Sequence, residues 1–109
     1  MAIADAERRR LRPDVGARLL LDRLTATDDA ATYAAWVLTA EVEHGYQATL
    51  TDAGAVELTA AGAAAPADAE DDLRMLCRLT ARSARKRAAD GLPPWPPRVL
   101  RWRGPGRGA

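Results

Sequence analysis

Four groups of side chains in this 109-residue chain could do chemistry: one histidine, one cysteine, an acidic run and a set of arginines. His44, the single histidine, stands between Glu43 and Gly45. As a metal ligand or general base it needs partners that converge on it. The acids near it in sequence, Glu41 and Glu43, fall on the other face of an extended chain or within its turn, so His44 reads as a solvated turn residue. Cys77 lies on the apolar stripe of a predicted helix, with no histidine assignable as its base, and reads as a buried structural thiol. A lone cysteine also excludes an internal disulfide and a cysteine-based zinc site. Asp68, Glu70, Asp71 and Asp72 offer oxygens. A calcium loop, however, turns its ligands inward around a central glycine, and none is present. These acids read as charge at the positive end of a helix. The glycines are isolated, so there is no phosphate-cradling loop. The sequence assigns no catalytic residue, cofactor or metal.

The arginines remain. Arg74, Arg78, Arg82 and Arg85 recur at helical spacing, and Arg101, Arg103 and Arg107 follow in an Arg/Gly/Pro-rich end. Together they form a candidate polyanion-binding set, since arginine pairs with phosphate and stacks on bases. Trp95 and Trp102 are candidate protein contacts, with the alternative for Trp95 that it pins its proline-rich surroundings to the body. Only one of the sixteen basic residues is a lysine. With so much alanine, that reads first as codon bias in a GC-rich bacterial genome.

Charge is segregated along the chain. The net charge is +1, but residues 1–27 carry +2, residues 28–73 carry ten acids and no base, and residues 74–109 carry +9. Two readings follow: internal pairing of an acidic sheet surface with a basic helix, or a basic end that meets a polyanion.

The elements that must position these groups come from periodicity. Hydrophobic residues make up 48% of the chain, with no Phe, enough for one core built of small parts. From Leu38 to Thr51 apolar residues occupy the even positions, a strand signal of period two. A three-residue loop at Glu43-His44-Gly45 pairs Val42 with Tyr46, Ala40 with Ala48 and Leu38 with Leu50. A second at Asp52-Ala53-Gly54 pairs Leu50 with Val56, Ala48 with Leu58 and Tyr46 with Ala60. Each loop has glycine third, where a left-handed residue is wanted. The resulting inner face has Ala40 and Ala48 at its centre, leaving room for a helix. The outer face of Thr, Gln and Glu can stay in water.

Upstream, the alternation predicts a strand from about Thr32, although Tyr33, Trp36, Val37 and Ala40 also suit a helix beginning near Thr27. Residues 17–25 read as a further strand and residues 2–11 as a helix. Pro66 opens a long helix with acids at its start and bases at its end, which Gly91 and Pro93 stop. Its apolar stripe is Leu73, Leu76, Cys77, Thr80, Ala84 and Ala88. Pro93-Pro94-Trp95-Pro96-Pro97 favours an extended polyproline path, and Val99-Leu100 suits a brief strand.

The expected fold is therefore α+β: a two-layer sandwich of an antiparallel β-meander of about four strands, an N-terminal helix and a long C-terminal helix. Residues 1–92 form the domain, and residues 93–109 an extended basic tail. With no apolar h-region near Met1 and no apolar run of membrane-spanning length, the expected setting is the bacterial cytoplasm, without a membrane. The expected function is that of a small non-enzymatic protein-interaction module, bound to another protein or to a second copy. The alternative is a nucleic-acid-associated protein using the basic end.

Overall fold

A computed structural model describes residues 4–104. These residues form an α+β fold of two helices and one five-stranded antiparallel sheet. Helix α1 (Asp5–Leu11) precedes a four-stranded meander, β1 (Ala17–Ala26), β2 (Ala30–Leu38), β3 (Glu43–Thr51) and β4 (Val56–Ala60). Helix α2 (Ala67–Ala89) then crosses back over the sheet and delivers β5 (Arg98–Gly104) beside β1. The strand order is β4-β3-β2-β1-β5, so β4 and β5 are the two edges.

The second expected hairpin forms as read. Leu50 opposes Val56, Ala48 opposes Leu58 and Tyr46 opposes Ala60. Gly54 takes a φ of 95° in its loop, a conformation that a side chain would strain. The first hairpin is different. Its turn is residues 39–42, and Leu38 opposes Glu43. Thr39 builds that turn: its N–H donates to the Val42 carbonyl at 2.9 Å, and its Oγ1 accepts from the Val42 N–H at 3.0 Å. A side-chain hydroxyl thus does what glycine was expected to do. Gly45 lies within β3 because the ring of its neighbour Trp36 covers it. The expected pairs of Leu38, Ala40 and Val42 with residues of β3 do not form. Leu38 turns to the opposite face, Ala40 sits exposed in the turn, and Val42 is exposed.

Helix α2 covers the face on which Leu19, Leu21, Tyr33, Ala35, Val37, Tyr46, Ala48 and Leu50 are buried. Ala35 and Ala48 supply the shallow centre that lets the helix lie close. From α2 come Ala69, Leu73, Leu76, Cys77, Thr80, Ala81 and Ala84. The expected stripe is buried except for Ala88, which is exposed, and Ala69 and Ala81 join it. The helix ends in a Schellman motif, with Leu92 N–H on the Arg87 carbonyl and Gly91 N–H on that of Ala88.

The opposite face is not wholly open. Leu20 and Leu38 are buried there, with Leu11 of α1 and Trp36, both partly buried, packed against them. This explains the Leu19-Leu20-Leu21 run of β1, which is buried on both faces. A helix of seven residues cannot hold itself in water. It is fastened by ion pairs: Arg8 Nε at 2.8 Å and Arg12 Nη2 at 2.6 Å both reach Glu43, and Arg8 stacks 4.0 Å above the Trp36 ring.

The expected tail from residue 93 is, through residue 104, part of the fold. Polyproline backbone makes no hydrogen bonds of its own, so its carbonyls need outside donors. Arg87 Nε donates to Pro93, Arg23 Nη1 to Trp95, the Tyr33 hydroxyl to Pro96 and the Arg23 N–H to Pro97. Trp95 is 1% exposed, inside the main core. Beyond it β5 pairs with β1 from Asp22↔Arg98 to Ala17↔Gly104. The brief strand expected at Val99-Leu100 is seven residues long.

Candidate functional site

The expected polyanion set divides into two kinds. Arg103 is mostly buried and donates to Asp72 at 2.7 Å and Asp68 at 3.1 Å, both on the first turns of α2. Arg85 reaches Asp52 at 3.2 Å, and Arg74 reaches Glu70 at 3.5 Å. These three serve internal pairing. Arg78, Arg82 and Arg101 are exposed, and no carboxylate is within ion-pair range of them among the described residues. Arg107 lies outside the described residues.

The two tryptophans also part ways. Trp95 is core and offers no surface. Trp102 is 57% exposed on the face away from α2, with its Nε1 donating to the Val15 carbonyl at 3.2 Å.

β5 is the outermost strand of the sheet, and no further strand lies beside it among the described residues. The partners of Val99 and Arg101 on β1 are Leu21 and Leu19, both in the core beneath α2. Val99 and Arg101 therefore point to the α2 side. Between them and the helix runs a groove of about 260 Å³. Its walls are apolar at Leu76, Leu79, Pro96 and Val99, its charges are Arg87 and Arg101, and no acid lines it. The two hydroxyls in it are spent on the helix backbone: Thr80 Oγ1 donates to the Leu76 carbonyl and Ser83 Oγ to that of Leu79. The groove thus presents an edge strand, apolar walls and unneutralised positive charge.

The groups that could have done covalent chemistry do not assemble. His44 lies in β3, not in a turn, and its Nδ1 is 3.1 Å from the Ala63 carbonyl. A cleft of about 270 Å³ beside it contains no Ser, Thr or Cys. Its one carboxylate, Glu43, is held by Arg8 and Arg12. Cys77 is fully buried, and burial pushes its thiol up to about 12 against a smaller opposing effect of Arg74. It is a protonated core residue at neutral pH. The Tyr46 hydroxyl donates to Glu70 and accepts from the Ala65 N–H, which ties the crossover into α2 to the sheet. Among the described residues no cluster of three or more His, Cys, Asp or Glu could hold a metal. No helix among them is long and apolar enough to cross a membrane.

Compared with known protein families, curated proteins and solved structures, the chain matches none. The functional reading rests on the site itself.

Proposed function

We propose that this protein is a non-enzymatic protein-interaction module that takes an extended segment of its partner onto the free edge of β5. The observation that carries this reading is an exposed seven-residue edge strand running beside an apolar groove. Strand addition uses such an edge: main-chain hydrogen bonds give affinity, and alternate side chains enter pockets for specificity. Large edges of this kind are usually blunted or covered. Here Val99 faces the groove with Leu79, 52% exposed, on its helix side, while Leu100 stands on the opposite face of the strand. On composition, we place this activity in the bacterial cytoplasm.

Site-directed photo-crosslinking in the source cell tests the reading. A photoreactive residue at Leu79 or Leu100 should capture one discrete protein. The same residue at Gln47, an exposed position away from β5, should not. Equal capture from all three positions, or capture from Gln47 alone, rejects β5 as the docking edge.

A second reading, nucleic-acid association, is favoured by one observation. Arg78 and Arg82 stand one turn apart on the outer side of α2, with no acidic partner among the described residues. Its test is binding to random duplex DNA across salt, because phosphate contacts weaken steeply as salt rises. An absence of binding at ~50 mM salt excludes it.

A further inference from the structure

We propose that β5 selects a partner strand carrying an acidic side chain two residues before an apolar one, and that Arg101 does the selecting. This rests on the reading of β5 as the docking edge. A strand laid against β5 puts every second side chain on the groove side, opposite Val99, Arg101 and Arg103 in turn.

These three positions make different demands. Opposite Val99 the walls are Leu76, Leu79 and Pro96, so that position takes an apolar side chain. Opposite Arg101 stands a guanidinium with no carboxylate of its own among the described residues, and Arg87 adds positive charge from the helix. That position takes an acid. Opposite Arg103 the charge is already matched by Asp72 at 2.7 Å and Asp68 at 3.1 Å, so a third acid there meets two carboxylates. The acid is thus specified at one position only. Every pairing in this sheet is antiparallel. In that orientation the partner reads, from its N-terminus, acidic residue, any residue, apolar residue.

The same arginine argues against a second copy as occupant. Two copies of Arg98–Gly104 overlap fully only when centred on Arg101, which sets Arg101 directly opposite itself. Like charges at directly opposed positions destabilise the pairing. The charge on this edge therefore turns away its own kind and accepts an acidic strand, so attraction and repulsion work together in the choice.

The probe is a pair of fluorescent nine-residue peptides with threonine flanks and the centre Val-Glu-Val-Val or Val-Lys-Val-Val. They are titrated into the full chain and into Arg101→Glu, with circular dichroism checking that the exposed substitution leaves the fold intact. The glutamate peptide should bind the wild-type chain about tenfold tighter than the lysine peptide, and Arg101→Glu should reverse that order. Leu79→Arg, which fills the groove from an exposed position, should weaken both. Equal binding of the two peptides overturns the acidic pattern and leaves strand docking standing. Failure of both at ~1 mM overturns strand docking as well. A wild-type dimer in sedimentation at the same concentrations overturns the choice of occupant, as does tighter binding of duplex DNA than of either peptide.

Discussion

At the scale of residues, Gly45 carries more than its size suggests. A Cβ built there would lie 2.8 Å from Cζ3 of Trp36 and 3.1 Å from its Cη2. The two residues oppose each other across β2 and β3, and the indole packs over the bare backbone. Movement of Trp36 away from a Cβ would disturb the Arg8 guanidinium, which lies 4.0 Å from the centroid of the same ring. Gly45→Ala should therefore lower the free energy of unfolding by about 1–3 kcal/mol, as an overpacking substitution does. Urea denaturation followed by tryptophan fluorescence measures it. The same residue shows why part of the fold was illegible. Glycine marks turns, and an isolated glycine after His44 fits a hairpin. The real turn is marked only by Thr39, a residue as common in strands as in turns. Gly54, by contrast, has turn chemistry and cross-strand pattern in agreement, and its hairpin could be read residue by residue. Trp95 was ambiguous for another reason: nothing in Pro-Pro-Trp-Pro-Pro says whether the ring faces the body or the solvent.

At the scale of elements, α1 shows how a helix too short to be stable is held by charge. Burial raises the Glu43 carboxyl, but hydrogen bonds from Arg8 and Arg12 and their positive charge outweigh it, so its pKa is lowered. A carboxyl whose folded pKa lies below its unfolded value stabilises the fold above the unfolded value, about 4.3 for glutamate. That contribution disappears as pH falls through the lower, folded value. The wild-type chain should then lose stability as pH drops below about 5. Glu43→Gln should be less stable at pH 7 and lose less over the same acid range, because Glu43 no longer contributes; the loss that remains comes from groups such as Asp68, also lowered by its partners. Urea midpoints measured on both proteins at several pH values check this. Helix α2 was legible at both ends, because its charges follow the macrodipole and its stop is a glycine followed by proline. Only the Val99-Leu100 middle of β5 was legible, because the proline run before it and the arginines around it conceal the extent of a strand whose apolar partner, β1, is far away in sequence.

At the scale of the whole molecule, the segregated charges turn out to be folded onto one another. The base-free stretch 28–73 supplies Glu43, Asp52, Asp68 and Asp72, which meet Arg8 and Arg12 from before it and Arg85 and Arg103 from after it. The exposed Arg85–Asp52 pair is worth about 0–1 kcal/mol, whereas the part-buried pairs of Arg8, Arg12 and Arg103 fix how α1 and β5 sit on the sheet and on α2. The core does the stabilising, and its largest fully buried side chain, Trp95, lies outside the domain boundary expected at residue 92. Losing a buried tryptophan costs about 3–5 kcal/mol, against a total of roughly 5–15 kcal/mol for a domain. A chain ended at residue 92 also lacks β5. It should show no cooperative thermal transition by circular dichroism, where the full chain shows one. A sharp transition in the shortened chain would mean that residues 93–104 are an accessory to the fold.

The pairing of β5 with β1 has a consequence in time. β1 precedes the other strands of the described residues, and its outer neighbour β5 follows them all, with contacts such as Trp102 to Val15 spanning 87 residues. Such distant closures are slow steps in folding. Until residues 98–104 arrive, β1 is itself a bare and strongly apolar edge, prone to wrong partners. When they arrive, that edge is replaced by one bearing Arg101. The docking edge we propose would therefore form only once residues 98–104 have paired with β1.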